Sequence, residues 1–297
     1  MKILYIPLDY HRHRESPELF TDLVNALEGE IYQSSEQAVA YKPDIILFHG
    51  GLIPSDLKIL KLLTGAPVIM WTGDCRYMPQ ESLMMYRDIV DIFLLPFDGE
   101  HKDRFSALLC KPCYFIWEPI QNWRFKQPQD LLEGPVSFIG NIYDNLPGGE
   151  DRLYTMEFID ERVKEMKIRG AFPGSEPVDN DIVPYIYNDA YIVIAENNMH
   201  DIQYYFTPRN IGGMAAGSCV VMRWFPGIEG FFEDGHNCFI YRHKYELLDI
   251  IQFLQKNPSV RNKVALNGYL EASNKFGVKN FANRVKEIIG EVRSSNS

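Results

Sequence analysis

The chain has 297 residues, 46% of them hydrophobic, and a formal net charge of −10, a composition typical of a globular protein long enough for two domains. The negative charge disfavours partners that need a broad basic surface, such as the phosphate backbone of nucleic acids. No apolar run approaches the ~18 residues of a transmembrane helix. The N-terminal stretch MKILYIPLDYHRHRESP lacks the form of a signal peptide, so we expect a cytoplasmic protein.

The first part of the chain alternates between apolar runs and amphipathic stretches. Strands are predicted at 2–8, 44–50, 67–73, 91–96 and 113–118. Helices are predicted near 17–28, 35–42, 55–64, 80–89 and 99–109. Continuous apolar strands that alternate with helices are typical of βα units, and they predict a parallel sheet covered on both faces.

After a polar, proline-containing stretch at 119–135, the same alternation starts again. Strands are predicted at 136–141, 167–172, 190–196, 219–224 and 238–243, and helices near 149–165, 208–216, 244–256, 258–274 and 278–291. The sequence therefore predicts two Rossmann-like, doubly wound α/β domains that face each other across a cleft. We assign residues 1–125 to the first domain, 126–280 to the second, and 281–297 to a C-terminal helix followed by a polar tail.

Open parallel sheets bind their ligands beyond the carboxyl ends of the strands, so the residues that follow each strand are candidate site residues. In the first half these include Asp9, His11, His49 and Asp74. In the second half they include Gly140, Asn141, Glu196, Gly227 and Glu229. No Cys or carboxylate cluster completes a metal-ligand set around His11 and His13, so no metal site is predicted there.

The segment TPRNIGGMAAGS, residues 207–218, has the form of a helix start followed by a helix of small residues. Thr207 suits the N-cap, and Pro208 suits the first helical position. Arg209 would then lie in the first turn, where the helix dipole disfavours a cation. A bound phosphate would explain this placement, because the free backbone N–H groups and the guanidinium would share the anion. Close packing of the thin helix on the sheet is the alternative.

The longer segment TPRNIGGMAAGSCVVMRWFPGIEGFFEDGHNCFIY resembles the nucleotide-sugar half of GT-B glycosyltransferases. It looks most similar to the bacterial group that includes the spore-maturation glycosyltransferase-like proteins. Upstream, IVPYIYNDAYIVIAENN resembles the segment that leads into the family's donor site. Downstream, NKVALNGYLEASNKFGVKNFANRVKEII resembles its C-terminal helices, the last of which often crosses back to the first domain. The resemblance extends over 136–290, whereas the first half matches only in architecture and in KPDIILFHGG.

The resemblance implies a hexosyltransferase-type enzyme that uses a nucleotide-diphosphate sugar, with a UDP-sugar as the favoured donor. It implies no tightly bound cofactor or metal, because GT-B enzymes generally stabilise the leaving diphosphate with a helix N-terminus and basic side chains. The first domain would hold the acceptor, which is an unidentified glycan, protein or small molecule, with modified DNA disfavoured by the charge. The donor-binding candidates are Arg209, Thr207, Asn210, Gly140, Asn141, Glu229, Gly227 and Glu196.

One departure from the family pattern concerns the ribose contact. The family usually carries a Glu on the small-residue helix that holds the ribose hydroxyls, and the matching residue here is Gly212. A second Glu, eight residues earlier in better-known relatives, falls on Tyr204. Arg209 does match, so the resemblance carries over the diphosphate contact and not the ribose contact. Glu229 and Glu196 are the candidate substitutes.

The catalytic candidates come from the first half of the chain. An inverting mechanism needs a general base near the acceptor hydroxyl, whereas a retaining mechanism in this fold needs none. Asp74 is the first candidate base and His49 the second, with Asp9 and His11 on the acceptor side. Each of them also has a structural interpretation, such as a turn or cap residue. Two other functions stay open: a nucleotide-sugar epimerase on the same architecture, and a non-catalytic sugar- or nucleotide-binding relative.

Overall fold

The computed structural model describes residues 1–7, 17–73, 77–141 and 148–295 of the chain. The chain divides into two compact units, one formed by Met1–Gln121 together with Val278–Ser297, and the other by Asn122–Gly277. Three of the predicted site residues, Asp9, His11 and Asp74, lie outside the described residues.

The first unit contains a six-stranded, fully parallel sheet with the strand order β2-β1-β3-β4-β5-β6. Its strands are β1 (Ile3–Ile6), β2 (Glu30–Ile31), β3 (Ile45–Phe48), β4 (Val68–Trp71), β5 (Ile92–Leu95) and β6 (Cys113–Phe115). Its helices are α1 (Pro17–Leu27), α2 (Ser35–Tyr41), α3 (Pro54–Thr64), α4 (Glu81–Met84), α5 (Gly99–Leu109) and, from the end of the chain, α11 (Val278–Ser295). Four of the strands are buried along their whole length, as a parallel sheet covered on both faces requires.

The second unit contains a five-stranded parallel sheet with the order β11-β10-β9-β7-β8. Its strands are β7 (Val136–Ile139), β8 (Met166–Arg169), β9 (Ile192–Ala195), β10 (Cys219–Arg223) and β11 (Phe239–Tyr241). Its helices are α6 (Gly149–Asp160), α7 (Val183–Asn188), α8 (Pro208–Ala215), α9 (Lys244–Lys256) and α10 (Pro258–Lys275). The prediction of two Rossmann-like α/β sheets is confirmed.

The last helix, α11, packs in the core of the first unit although it follows the second unit in sequence. Phe281, Val285 and Ile288 are fully buried in one cluster with residues of the first sheet such as Trp71. The ring of Phe281 lies 4.7 Å from that of Trp71, measured between centroids. Burial of these side chains holds the two ends of the chain together, since each contributes roughly 1.5–3 kcal/mol.

The structure adds two elements that the pattern did not predict, and it shortens others. The strand β2 has only two residues, too few to show the alternation by which strands are predicted. The helix α7 has six residues, with a proline in its first turn. The helix predicted near 80–89 is regular only over Glu81–Met84.

Within the described ranges, no helix is long and apolar enough to span a membrane.

Candidate functional site

The candidate site lies where the strand order of the second sheet reverses. From β7 the chain goes to β8 on one side, whereas β9, β10 and β11 follow on the other side. Such a reversal opens a crevice at the carboxyl ends of the two central strands, and ligands of open α/β sheets bind there. The helix α8 follows β9 after residues 196–207, and hydrogen bonds from Arg209 in its first turn hold its N-terminus at this edge of the sheet.

The start of α8 is a complete capping box. Thr207 has extended backbone angles, and its Oγ1 accepts a hydrogen bond of 3.3 Å from the N–H of Arg209. The side chain of Asn210 returns the contact, because its Oδ1 accepts from the N–H of Thr207 at 3.0 Å. The side chains of Thr207 and Asn210, two of the predicted donor-binding residues, therefore fix the helix start. The buried Nδ2 of Asn210 makes no hydrogen bond to any described residue.

Arg209 extends from the first turn of α8 to the ends of both central strands. Its Nε donates to the carbonyl oxygen of Ile139, the last residue of β7, at 2.7 Å. Its Nη1 donates to the carbonyl oxygen of Glu196, just beyond β9, at 3.1 Å. Among the described residues, Nη2 has no hydrogen-bond partner. The guanidinium is thus held in a fixed position at the crevice.

A second arginine also donates to main-chain carbonyls at the ends of β7 and β9. Arg152, on α6, is 2% exposed. Its Nη1 and Nη2 donate to the carbonyl oxygens of Asn141 and Glu196, each at 2.7 Å. Burial, and then the nearby charge of Arg209, lower the pKa of Arg152 to about 9. The side chain of Asn141 accepts from the N–H of Ala171 at 2.8 Å, which attaches the end of β8 to that of β7.

The carboxylate of Glu196 belongs to a buried charge network. Arg223 Nη1 donates to Glu196 Oε1 at 2.8 Å and lies 2.6 Å from Asp151 Oδ2, and the hydroxyl of Tyr241 donates to Glu196 Oε2. Burial raises the pKa of the Glu196 carboxyl, against the opposing effects of Arg223 and Tyr241. Because Arg223 is only a donor, its 3.2 Å contact with His200 Nε2 places the proton of that ring on Nδ1.

The charges at this edge of the sheet do not cancel. Arg223 pairs with the carboxylates of Glu196 and Asp151, whereas Arg152 and Arg209 donate to main-chain carbonyl oxygens. Three guanidinium groups and two carboxylates leave one net positive charge. The N-terminus of α8 adds the positive end of a helix dipole. Together they form an environment that favours an anion.

Among the described residues, three other predicted donor-binding residues form no hydrogen bond with the arginine cluster at the start of α8. The carboxylate of Glu229 is exposed and accepts from Trp224 Nε1 at 3.2 Å. Gly227 has a φ of 82° and is covered by the ring of Tyr204, which a Cβ at position 227 would approach to 2.2 Å. Gly140 is covered by the ring of Phe138. The roles of these residues in donor binding stay predictions.

The two glycines of α8 have different surroundings. A Cβ at Gly213 would lie 2.8 Å from Val220 and 3.0 Å from Val193, so close packing on β9 and β10 requires glycine there. A Cβ at Gly212 would meet only the ring of Tyr187, at 3.6 Å. Tyr187 is fully buried, and its ring lies over the position where the family pattern has the ribose-binding Glu. Packing therefore explains Gly213 but does not by itself require Gly212.

This contrast predicts opposite effects of the two Gly→Ala substitutions on stability. Gly213→Ala is expected to lower the free energy of unfolding by about 1–3 kcal/mol, because the methyl group overpacks the helix–sheet contact. Gly212→Ala is expected to be neutral or to stabilise by up to about 1 kcal/mol, because alanine favours the helix. Urea unfolding of both variants measures the difference. Equal destabilisation by the two substitutions would contradict it.

His49 occupies the corresponding position in the first unit, where the strand order reverses between β1 and β3. It follows β3, is 9% exposed, and its Nδ1 lies 3.1 Å from the hydroxyl of Tyr5 on β1. Its ring stacks on that of Trp71 with centroids 3.9 Å apart. These contacts fix the orientation of an imidazole that is chemically able to accept a proton.

Sequence reasoning did not identify Arg152, Arg223, Asp151 or Tyr241 as site residues. Arg223 ends a buried apolar strand. A charged residue in such a place is uncommon, and the sequence alone could have indicated Arg223 as a site residue for this reason. Arg152 lies on the buried face of α6. Because α6 carries no clear apolar stripe, the sequence does not indicate which of its residues are buried.

The second unit resembles a known family of proteins. Residues 152–289 match the family model described as glycosyl transferase-like. The chain has the GT-B fold, and the predicted likeness to group 1-like glycosyltransferases is confirmed. A comparison with curated protein sequences finds no match.

Solved structures agree in fold over nearly the whole chain. HepE from Anabaena, crystallised with UDP-glucose, is 14% identical, with a TM-score of 0.65 over 98% of this chain and 100% of its own. Sucrose-phosphate synthase from Thermosynechococcus elongatus is 10% identical, with a TM-score of 0.60 over 99% and 100%. A glycosyltransferase from Rickettsia africae is 12% identical, with a TM-score of 0.57 over 98% of each chain.

Proposed function

We propose that this chain is a glycosyltransferase that transfers a sugar from a UDP-sugar to a hydroxyl group of an acceptor, with the diphosphate bound at the start of α8. The observation that carries the proposal is Arg209, which lies in the first turn of α8 and whose guanidinium is fixed at the reversal point of the sheet. The positive end of the α8 dipole lies at the same helix start. HepE, which shares the fold, binds UDP-glucose, and this supports the choice of nucleotide.

The site would act mainly on the leaving group. As the bond between the sugar and the diphosphate breaks, negative charge develops on the UDP oxygens. Fixed N–H donors and guanidinium groups stabilise that charge without rearranging, which is the basis of electrostatic catalysis. Arg152 and Arg223 would contribute through the local potential, because their hydrogen bonds to Asn141, Glu196 and Asp151 keep them in place.

The acceptor is proposed to bind to the first unit. His49 lies at the reversal point of that sheet, with its ring fixed by Tyr5 and Trp71. In the tautomer that donates from Nδ1 to Tyr5, its Nε2 carries the lone pair that a general base needs. Asp74, the first candidate base, lies outside the described residues, so its role stays a prediction.

Transfer is proposed to need no bound metal, because the positive groups of the chain take that role. In the part of the chain that the structure describes, no group of three or more His, Cys, Asp and Glu side chains is placed to hold a metal ion. The chain does contain one Asp-x-Asp triplet, Asp179-Asn180-Asp181, which the expectation of metal independence left out of account. Its three residues are exposed and precede α7.

A thermal-shift titration with UDP, GDP, dTDP, ADP and CMP, each with and without EDTA, tests the proposal. A nucleotide that binds only the folded state stabilises it by about 2.7 kcal/mol at a concentration of 100 times Kd. We expect UDP to raise the unfolding midpoint most, with no effect of EDTA. Loss of the shift in EDTA would instead implicate a metal, and Asp179→Asn would be the next variant.

Product analysis with UDP-glucose separates transfer from the alternatives. A transferase without acceptor releases glucose slowly at most, whereas an epimerase would convert the donor to an isomeric UDP-sugar. If no nucleotide shifts the midpoint, a UDP site at the start of α8 is ruled out.

A further inference from the structure

A cavity of about 550 Å³ lies at the carboxyl ends of β10 and β11. We call it the Trp224 cavity; the residues that matter here are Trp224, Glu229, Phe231, Glu233, Asn237 and Arg242. Its volume is within the range of small-molecule sites. None of Arg152, Arg209 and Arg223 lines it, although it does include Glu229, one of the predicted donor-binding residues.

The charge of the Trp224 cavity is opposite to that of the arginine cluster. Five carboxylates line it, together with the cations of Arg242 and Lys275, and the carboxylates are those of Glu229, Glu233, Asp234, Glu246 and Glu271. Three net negative charges disfavour a phosphate-bearing ligand such as a nucleotide. Carboxylate oxygens are hydrogen-bond acceptors, and they suit a ligand that is rich in O–H donors.

One polar group in the cavity wall lacks a partner. Asn237 is 6% exposed, and its Oδ1 accepts from the N–H of Glu233 at 2.9 Å. Its Nδ2 makes no hydrogen bond to any described residue. The Nδ2 atom is not one of the fully buried unpaired atoms of the described residues, so solvent reaches it and it can donate to an oxygen of a ligand or of water. The wall of the cavity therefore contains an N–H donor that is available to a ligand.

The aromatic wall of the cavity is held in place by its neighbours. Glu229 accepts from Trp224 Nε1 at 3.2 Å, and the guanidinium of Arg242 lies 4.3 Å from the centroid of the Trp224 ring. Phe231 packs against Tyr204 with ring centroids 5.2 Å apart. Fixed aromatic surface beside polar groups that can both donate and accept matches the chemistry of a sugar ring, which has apolar C–H faces and a polar edge.

We propose that the Trp224 cavity binds a phosphate-free saccharide, independently of the nucleotide at α8. The carboxylates accept from its hydroxyl groups, Asn237 Nδ2 donates to one of its oxygens, and the aromatic wall contacts a ring face. The site goes beyond donor binding, because a sugar bound here need not be the one transferred.

Ligand-observed NMR on the full chain, with glucose, galactose, N-acetylglucosamine, glucosamine, maltose and cellobiose as probes, tests this assignment. Two variants address the cavity: Asn237→Asp, which keeps the Oδ1 acceptor and removes the NH₂ donor, and Glu233→Gln. The Glu233 carboxylate has no ion pair with a described residue, so its substitution is not expected to affect folding. Glu161→Gln, at an exposed position outside the cavity, is the matched control.

We expect at least one probe to bind at millimolar concentration, with affinity about tenfold lower in both cavity variants and unchanged in the control. UDP binding should be the same in all of them. The assignment is overturned if no probe binds, if the cavity variants bind like the control, or if UDP displaces the saccharide. A failure of UDP binding alone would leave it intact, since the two sites are measured separately.

Discussion

Arg209→Ala should lower the affinity for UDP about 10- to 100-fold, the largest functional effect expected of any single substitution here. A charge-assisted hydrogen bond contributes roughly 1.5–3 kcal/mol, which corresponds to that range of affinity. The Nη2 of Arg209 has no hydrogen-bond partner among the described residues, so it can donate to a bound diphosphate. Isothermal titration with UDP measures the effect.

The same substitution also affects stability, so the measurement needs controls. Arg209 donates to the carbonyl oxygens of Ile139 and Glu196. Its loss removes the bond to Ile139 at a cost of about 1–3 kcal/mol, whereas the Glu196 carbonyl keeps its bond from Arg152. Titrations should therefore be made well below the unfolding midpoint. Arg209→Lys keeps the charge and loses the planar fork, and we expect intermediate affinity. Arg162→Ala, at the surface, should bind UDP as the wild type does.

The outcome that would contradict the assignment is a folded Arg209→Ala protein with wild-type affinity for UDP. In that case Arg209 only ties the strand ends together, and the diphosphate binds elsewhere. The cation in the first turn of α8 would then be explained by its bonds to the two carbonyls alone.

The features that the sequence predicted well are those set by neighbouring residues. The two parallel sheets follow from short apolar runs separated by amphipathic helices. The start of α8 follows from Thr207 and Pro208, because capping is a contact within one turn. Arg209 was identified for the same reason, since its position in the first turn conflicts with the helix dipole.

The rest of the site depends on contacts between distant parts of the chain. Arg152 reaches Glu196 across 44 residues, and Arg223 reaches it across 27. No spacing rule links such pairs, so one sequence does not reveal them. The contact between Tyr187 and Gly212 could not be predicted for the same reason, because it joins two separate helices, α7 and α8. In addition, α7 is too short to show a periodic pattern.

Substitution of Glu196 by leucine is expected to lower the free energy of unfolding by about 3–5 kcal/mol. Its carboxylate is 1% exposed and is bound by Arg223 and Tyr241. Removing it leaves a mostly buried guanidinium with Asp151 as its only carboxylate partner among the described residues, and a buried hydroxyl without its acceptor. Breaking one member of a buried ion pair costs this much because the other charge stays desolvated.

The double variant Glu196→Leu/Arg223→Leu decides whether the cost comes from the unpaired charge. If it does, the double variant is more stable than Glu196→Leu alone, since both charges are gone. Glu229→Gln, at an exposed carboxylate, should change stability by less than about 0.5 kcal/mol. Urea unfolding measures all three, and a Glu196→Leu protein within about 1 kcal/mol of wild type would contradict the buried network.

The conservative variant Glu196→Gln connects this network to the nucleotide. The main-chain carbonyl of Glu196, and not its carboxylate, accepts from Arg209 and Arg152, so the positions of both arginines do not depend directly on the charge of the side chain. If Glu196 has only a structural role, the affinities of the folded variant for UDP and UMP should either stay unchanged or fall by the same factor. If Glu196 instead holds the ribose, Glu196→Gln should strongly lower the affinity for both UDP and UMP. The affinity for inorganic diphosphate should then stay unchanged. That pattern would make Glu196 the substitute for the glutamate that Gly212 replaces.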